Sequence, residues 1–325
     1  MSAASKTVLI AGATGYIGRN VVDELLDRGY RVVALVRAKP DAATAEHLKD
    51  CDVRVGSVTN SQELEETLSG LEVDAVVSCI ASRSGEASDA WLVDYEANRK
   101  LLNAARRLGA ARFVLLSAIC VQKPELEFQK AKLAFEAELA ESGMDYAIVR
   151  PTAFFKSISG QVERVRSGKP FLVFGTGTET RCKPVSERDL ARYLVDCIER
   201  DEYRNRILPI GGPGDALTPL DQGALLFELL GTTPRYRHVP VRLFDVAIAV
   251  LQPLSKLFPA LAGKAEFARI GRYYATESML VWDAENERYG ASATPETGSD
   301  SLRSHYQRML SDGDEGQELG AHKLF

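Results

Sequence analysis

The sequence predicts an α/β fold: a doubly wound parallel sheet followed by a smaller, mainly helical C-terminal lobe. Three observations predict it. Short apolar runs alternate with helix-period segments as far as Pro151, the pattern of successive βαβ units. A glycine-rich turn joins the first apolar run to the first helical segment. Beyond Pro151 the alternation stops, and glycine-punctuated loops give way to long stretches with apolar helical faces.

Taken in order, the apolar runs 7–11, 31–36, 52–55, 73–79, 112–117 and 145–149 are expected strands. Helical segments lie between them near 16–28, 61–68, 88–108 and 125–142, and Gly29 stands where the first should stop. Residues 155–185 carry Gly160, Gly168, Gly175 and Gly177 and read as helix plus loops. A further strand is expected at Arg206–Ile210, ahead of the turn Gly211-Gly212-Pro213-Gly214. Residues 219–285 read as helices, including Leu243–Leu251 and Leu254–Leu261. From Ala291 the chain is polar, and its last dozen residues are expected to be disordered. The expected domains are therefore 1–155 with 183–212 returning to it, a substrate lobe of 156–182 and 213–290, and a polar tail of 291–325.

The 325 residues, 45% hydrophobic and 26% charged, suit a globular protein with a sizeable core. A net charge of −5 and the absence of a basic tract argue against nucleic acid as a partner. Cys51, Cys79, Cys120, Cys182 and Cys197 are scattered without a C-x-x-C pair, so reduced thiols are expected and no metal or iron–sulfur site. The N-terminus shows no secretory or transit pattern, and the expectation is a cytoplasmic protein, either bacterial or a trimmed form of a longer chain. Arg242 and Asp245 interrupt the apolar stretch Val239–Leu251, which is too short to span a bilayer.

The turn itself reads Val8-Leu9-Ile10-Ala11-Gly12-Ala13-Thr14-Gly15-Tyr16-Ile17-Gly18. At a strand–turn–helix junction this is the fingerprint of a Rossmann-type dinucleotide site. Gly12 permits the tight turn, Gly15 lets backbone approach a diphosphate, and Gly18 allows close packing of the helix. Thr14, Tyr16 and Ile17 share that loop and helix start, where free N–H groups and the helix dipole favour an anion. Arg37 follows the second strand with no acid beside it, which selects NADPH over NADH because a guanidinium accommodates the 2′-phosphate.

Downstream, Leu115-Leu116-Ser117-Ala118 precedes a helical segment with Phe128 and Lys132 four residues apart. This resembles the short-chain dehydrogenase/reductase superfamily, whose Tyr-x-x-x-Lys presents both side chains on one helix face. The resemblance implies that Lys132 holds the nicotinamide ribose. It also implies cofactor contacts from Ser82 and from Pro151, Thr152 and Phe154 after the sixth strand. Phe128 stands where that pattern has its tyrosine and, lacking a hydroxyl, donates no proton. Ser117 either orients a group in the pocket or satisfies strand-end backbone. A carbonyl reductase needs an acid for the developing oxyanion. Reduction of a carbon–carbon double bond conjugated to a large π system leaves a delocalised carbanion with no such need.

Five further strings are more specific. Ser117-Ala118-Ile119-Cys120-Val121-Gln122-Lys123-Pro124 with Glu127–Lys132, Ile148–Ser157, Cys182–Glu187, Leu208–Gly214 and Gly271–Met279 resemble the divinyl chlorophyllide 8-vinyl reductase family, over about residues 7–283. The resemblance implies an atypical, extended short-chain reductase. It implies reduction of the 8-vinyl group of a divinyl chlorophyllide to ethyl by NADPH, in chlorophyll or bacteriochlorophyll biosynthesis. Hydride is expected at the terminal vinyl carbon, since the inner carbon then carries charge conjugated with the macrocycle.

For the flat, apolar magnesium tetrapyrrole, Phe154, Phe155, Phe171, Phe174, Tyr273 and Tyr274 are candidate walls. Tyr273, Tyr274 and Glu277 are candidate proton donors, with water as a competitor. The apolar helices of 243–261 either cover the ring or touch a membrane surface, in which case the protein is peripheral to photosynthetic membranes. His238 reads as structural or surface, and His47, His305 and His322 sit in polar sequence without an expected role. Two rivals stand beside this reading: a catalytically silent NADP-sensing regulator, which Phe128 also suits, and another atypical reductase or epimerase acting on a small phenolic or sugar substrate.

Overall fold

The computed structural model describes residues 5–83 and 85–312. In chain order its elements are β1 (Thr7–Ala11), α1 (Tyr16–Asp27), β2 (Arg31–Val36), α2 (Ala42–His47), β3 (Asp52–Val55), α3 (Ser61–Thr67), β4 (Ala75–Ser78) and α4 (Ala87–Ala90). A π-helix, Trp91–Ala97, leads from α4 into α5 (Asn98–Arg107). There follow β5 (Arg112–Leu116), α6 (Glu127–Glu141), β6 (Asp145–Pro151), α7 (Phe155–Ile158), α8 (Val162–Arg166), β7 (Phe171–Phe174), α9 (Glu187–Glu199) and β8 (Arg206–Ile210). The chain continues through α10 (Pro219–Leu229), β9 (Tyr236–Val239), α11 (Arg242–Leu257), α12 (Ala262–Thr276), β10 (Val281–Asp283), β11 (Arg288–Gly290) and α13 (Leu302–Asp312).

Seven strands form one sheet in the order β3-β2-β1-β4-β5-β6-β8. The pairs from β3 to β6 are parallel, with Val8 opposite Val32 on one side and Ala75 on the other. β8 runs the same way beside β6, since Asn205 N–H donates to the Tyr146 carbonyl at 2.7 Å and Thr152 N–H to that of Ile210 at 2.9 Å. The central strands are apolar almost throughout, as strands covered on both faces must be. Leu9, Val33, Val76, Phe113 and Ile148 share one core with Phe135 and Leu139 of α6. Strand order reverses at β1, which places a topological switch point between β1 and β4 at the carboxyl ends of the strands.

The chain divides into two compact units. The first runs to Arg150 and takes back Leu190–Leu208; the second comprises Pro151–Asp189 and the chain from Pro209 onward. The expected limits, 155 and 183–212, shift because the flanking segments zip together. Phe154 bridges to Val185, and the Thr152 hydroxyl donates to the Lys183 carbonyl. Within the first unit the returning segment is read by buried Arg112 of β5. Its guanidinium donates to the carbonyls of Cys197, Ile198 and Arg200 at 3.0–3.1 Å.

In the second unit β7 and β9 pair in parallel, and Phe171, Val173, Leu226 and Phe227 pack with Leu302, Tyr306 and Met309. Two expectations are corrected here. The region 155–185 contains a strand, β7, whose four residues are too few to show a period. The tail is no separate polar segment, for Leu302, Tyr306 and Met309 put one face of α13 into the core. The dozen residues expected to be disordered lie outside the described residues.

Candidate active site

Gly12 follows β1, Arg37 follows β2, Ser82 lies in the loop after β4, and Ser117 follows β5. Parallel pairing therefore gathers the expected cofactor residues of the first unit on the carboxyl edge of the sheet. Gly12 adopts φ +88°, and a β-carbon there would sit 2.8 Å from the Cys79 carbonyl. Gly15 caps α1 in an ordinary extended conformation, so it is not needed for the turn's backbone angles. It brings no capping side chain, and the first turn of α1 holds no acid. Thr14 and Gly15 are exposed, Tyr16 is half-buried and Ile17 packs into the core. An uncapped, acid-free helix N-terminus with small exposed residues before it fits a dinucleotide diphosphate.

Arg37 is exposed one residue beyond β2, without an ion-pair partner among the described residues. The nearest following acid, Asp41, caps α2 by accepting the Thr44 N–H at 2.8 Å. That bond, with a second to the Thr44 side chain, holds its carboxyl below the usual aspartate range. Asp41 is thereby engaged by its own helix rather than presented as an acceptor for a ribose hydroxyl.

α6 carries the second set. Phe128, Lys132 and Glu136 follow one another at four-residue spacing, on one side of the helix. Phe128 is half-buried. Lys132 Nζ lies 2.8 Å from Oδ1 of Asp94, whose side chain is wholly buried in the π-helix. The Ser82 N–H points at both carboxylate oxygens of Asp94 at 3.4 Å, a weak contact. Two expected residues, Ser82 and Lys132, thus meet through one the sequence had not marked. Trp91, at the start of the π-helix, donates from Nε1 to Glu127 of α6 at 3.0 Å.

Ser117 meets a side chain rather than strand-end backbone. Its hydroxyl donates to the buried Glu136 carboxylate, which Arg150 also holds through Nε at 3.1–3.2 Å and through Nη2. Glu136 was legible in principle, standing one helical turn after Lys132. Asp94 gave no signal, since it lies in a helical stretch whose π-turn no residue pattern announces.

The remaining candidates belong to the second unit. Pro151 ends β6, Thr152 is buried against Lys183, and Phe154 is half-buried at its bridge to Val185. Phe155 and Tyr273, expected as walls for a ligand, are instead packed away: Phe155 is fully buried in the core and Tyr273 is 2% exposed. Tyr274 is half-buried and meets Tyr273 edge-on at 5.7 Å between ring centres. Glu277 accepts a hydrogen bond from the Tyr289 hydroxyl. Phe171 is core, and Phe174 is half-buried against Phe244 at 5.0 Å. His238 is exposed and bonds the Gly175 carbonyl at 2.9 Å. His305 is corrected from polar surroundings to a buried place between Ser159, 3.1 Å from Nε2, and the Phe155 ring.

The model of a family described as NAD(P)H-binding matches residues 12–201. The divinyl chlorophyllide a 8-vinyl-reductases, chloroplastic, of Cucumis sativus and Oryza sativa subsp. indica are 51% and 52% identical to the chain, each alignment covering 98% of it and 79% and 82% of the relative. Among solved structures, the NADPH-dependent quinone oxidoreductase of Escherichia coli in complex with NADPH matches with a TM-score of 0.66 at 18% identity, over 93% of this chain and 99% of that one. That likeness shows the fold, and the relatives show the lineage. The chain belongs to the NAD(P)H-binding family and, within it, to the divinyl chlorophyllide a 8-vinyl-reductases, a family of oxidoreductases.

Proposed function

We propose that this protein uses NADPH to reduce the 8-vinyl group of a divinyl chlorophyllide to an ethyl group. The observation that carries the reading is the 51% identity to a reductase named for that conversion, over 98% of the chain. Phe128 supports it chemically. A phenol is dispensable where the charge left by hydride addition spreads into a macrocycle, and costly to lose where it settles on oxygen. Bound at the carboxyl edge, NADPH supplies the hydride. The glycine loop and the N-terminus of α1 hold its diphosphate, Arg37 takes the 2′-phosphate, and Lys132 donates to the nicotinamide ribose. Exposed Arg37 and the engaged Asp41 are what favour NADPH over NADH. Ser117, tied to Glu136 and Arg150, fixes α6 against β5 and β6 instead of touching the reacting atoms.

We infer in addition that the protein rests on an anionic lipid surface. No helix among the described residues is long and apolar enough to cross a membrane. Leu243, Val246, Val250, Leu254 and Leu257 are nevertheless exposed along one face of α11. Arg242 and Lys256 flank that stripe with no ion pair among the described residues, whereas Asp245 is matched by Arg272 at 2.6 Å. An apolar stripe edged by cations is the pattern of a helix lying in a headgroup layer.

The deciding experiment is anaerobic incubation of the purified protein with divinyl chlorophyllide a and NADPH. A blue-shifted Soret band and a gain of two hydrogens by mass are expected. NADPH binding without any conversion would overturn the reading in favour of a cofactor-sensing regulator.

A further inference from the structure

We propose that Asp94 is a positioning residue that sets the ammonium of Lys132 for the nicotinamide ribose. The inference rests on the reading that NADPH binds at this edge of the sheet.

An ammonium has three N–H donors on a long flexible stem and no fixed direction of its own. Lys132 is 11% exposed, and Asp94, at 2.8 Å, is the anion it meets. Engaging one donor there leaves two for the neighbouring hydroxyls of a ribose. Asp94 is itself held from two sides. The Ser82 N–H approaches both its oxygens from the loop after β4. The Asn98 amide donates to its backbone carbonyl at 3.1 Å, and Ser78 Oγ at the end of β4 donates to the Asn98 side chain at 2.6 Å. The backbone of Asp94 is thus tied through Asn98 to β4, its carboxylate takes a weak contact from the loop after β4, and Lys132 is tied to the carboxylate.

The π-helix gives this arrangement its register. A π-turn inserts one residue into the helical ladder and re-aims the side chains around it, and such turns concentrate at functional sites. Here Trp91 and Asp94 both reach α6, at Glu127 and Lys132. The pair also bears on Phe128. With a tyrosine at that position, the lysine's positive charge would help ionise a phenol. With phenylalanine there is no such task, and a buried carboxylate that cancels the charge does no harm to the chemistry. Lys132 is left with geometry as its contribution, and Asp94 fixes that geometry.

The test measures NADPH dissociation by nucleotide fluorescence, with no tetrapyrrole present, alongside kcat and KM, for wild type, D94N, K132M and the double variant. Asp94→Asn is expected to weaken NADPH about tenfold and raise its KM in parallel, with kcat at saturating NADPH within about twofold. In the K132M background the same change is expected to add nothing further. A lowered melting temperature with NADPH affinity unchanged, or an equal loss with and without Lys132, would overturn the proposal. If D94N does not fold, Asp94→Glu decides, because it keeps the buried charge pair and displaces the ammonium by one methylene. Weakened NADPH binding by D94E supports positioning; wild-type binding by D94E overturns it. Failure of the wild type to bind NADPH would overturn both this inference and the reading beneath it, whereas normal wild-type binding with an unaffected D94N removes Asp94 alone.

Discussion

Gly18 of α1 lies against the Gly12 carbonyl so closely that a β-carbon added to it would sit 2.0 Å from that oxygen. No side chain at Gly18 is compatible with the present path of the loop. Gly18→Ala is expected to destabilise the first unit by about 1–3 kcal/mol, as an overpacked site does, and to abolish measurable NADPH binding. Gly15→Ala is the matched control, since its β-carbon would lie 3.2 Å from the same oxygen. That variant is expected to fold and to bind NADPH less tightly. Thermal melts with and without nucleotide check both.

On the proposed reading, Arg37 takes the 2′-phosphate of NADPH. Arg37→Ser is expected to reduce kcat/KM with NADPH about tenfold or more, the worth of a charge-assisted contact, and to change kcat/KM with NADH within about twofold. Steady-state rates with the two nucleotides measure the ratio. An equal loss with both would remove Arg37 from nucleotide selection.

Phe128→Tyr restores a phenol one turn before Lys132. Vinyl reduction is expected to persist within a few-fold of wild type with the same pH profile, because no oxyanion awaits protonation there. With 4-deuterated NADPH the label should appear on the terminal carbon of the new ethyl group, detectable by NMR of the product. Label on the inner carbon would reverse the order of addition.

His305 gives the second unit a pH dependence. Burial is the main cause that lowers its pKa, aided by Arg308, while Glu187 and Asp300 oppose the shift. In the unfolded chain the imidazole takes up a proton near pH 6.5, which the folded site resists. Stability is therefore expected to fall as pH drops below about 6.5, until the folded imidazole is protonated too. His305→Gln should flatten that slope in urea melts recorded between about pH 5 and pH 7.5.

The apolar stripe of α11 predicts binding to sedimented vesicles of phosphatidylglycerol and phosphatidylcholine, weaker on phosphatidylcholine alone and weakened by salt. Val250→Glu with Leu257→Glu should abolish sedimentation without lowering the melting temperature, since both residues are exposed. Dimerisation lost in the same variant would assign the stripe to a second copy of the chain.

Much of the first unit was legible in the amino acids because the signals there are local. Alternating apolar runs located the strands, and Gly12, Gly15 and Gly18 marked the turn at the switch point. Lys132 and Phe128 were marked by resemblance to the Tyr-x-x-x-Lys pattern of short-chain reductases. Asp94 was hidden because its importance comes from the π-turn and from a partner on another helix. Ser117 was ambiguous for a similar reason: a hydroxyl at a strand end has many acceptors, and only the tertiary structure names Glu136. The second unit hid more. Short strands such as β7 and β9 lack a readable period. Phe155 and Tyr273 resemble ligand walls and core alike until their burial is known, and α13 joins the core through residues 302, 306 and 309 in an otherwise polar tail.

The return of residues 190–208 to the first unit has a consequence for how the chain is made. Arg112 opens strand β5, yet its carbonyl partners at Cys197, Ile198 and Arg200 are polymerised some eighty-five residues later. On the ribosome, the nascent sheet holds a guanidinium for which the stretch that neutralises its donors has not yet been translated. Until that stretch arrives, the donors of Arg112 are left to water and this end of β5 lacks part of its cover. A product truncated before residue 197 is therefore expected to be cut faster by protease than the complete chain, at the end of the sheet where Arg112 loses its partners.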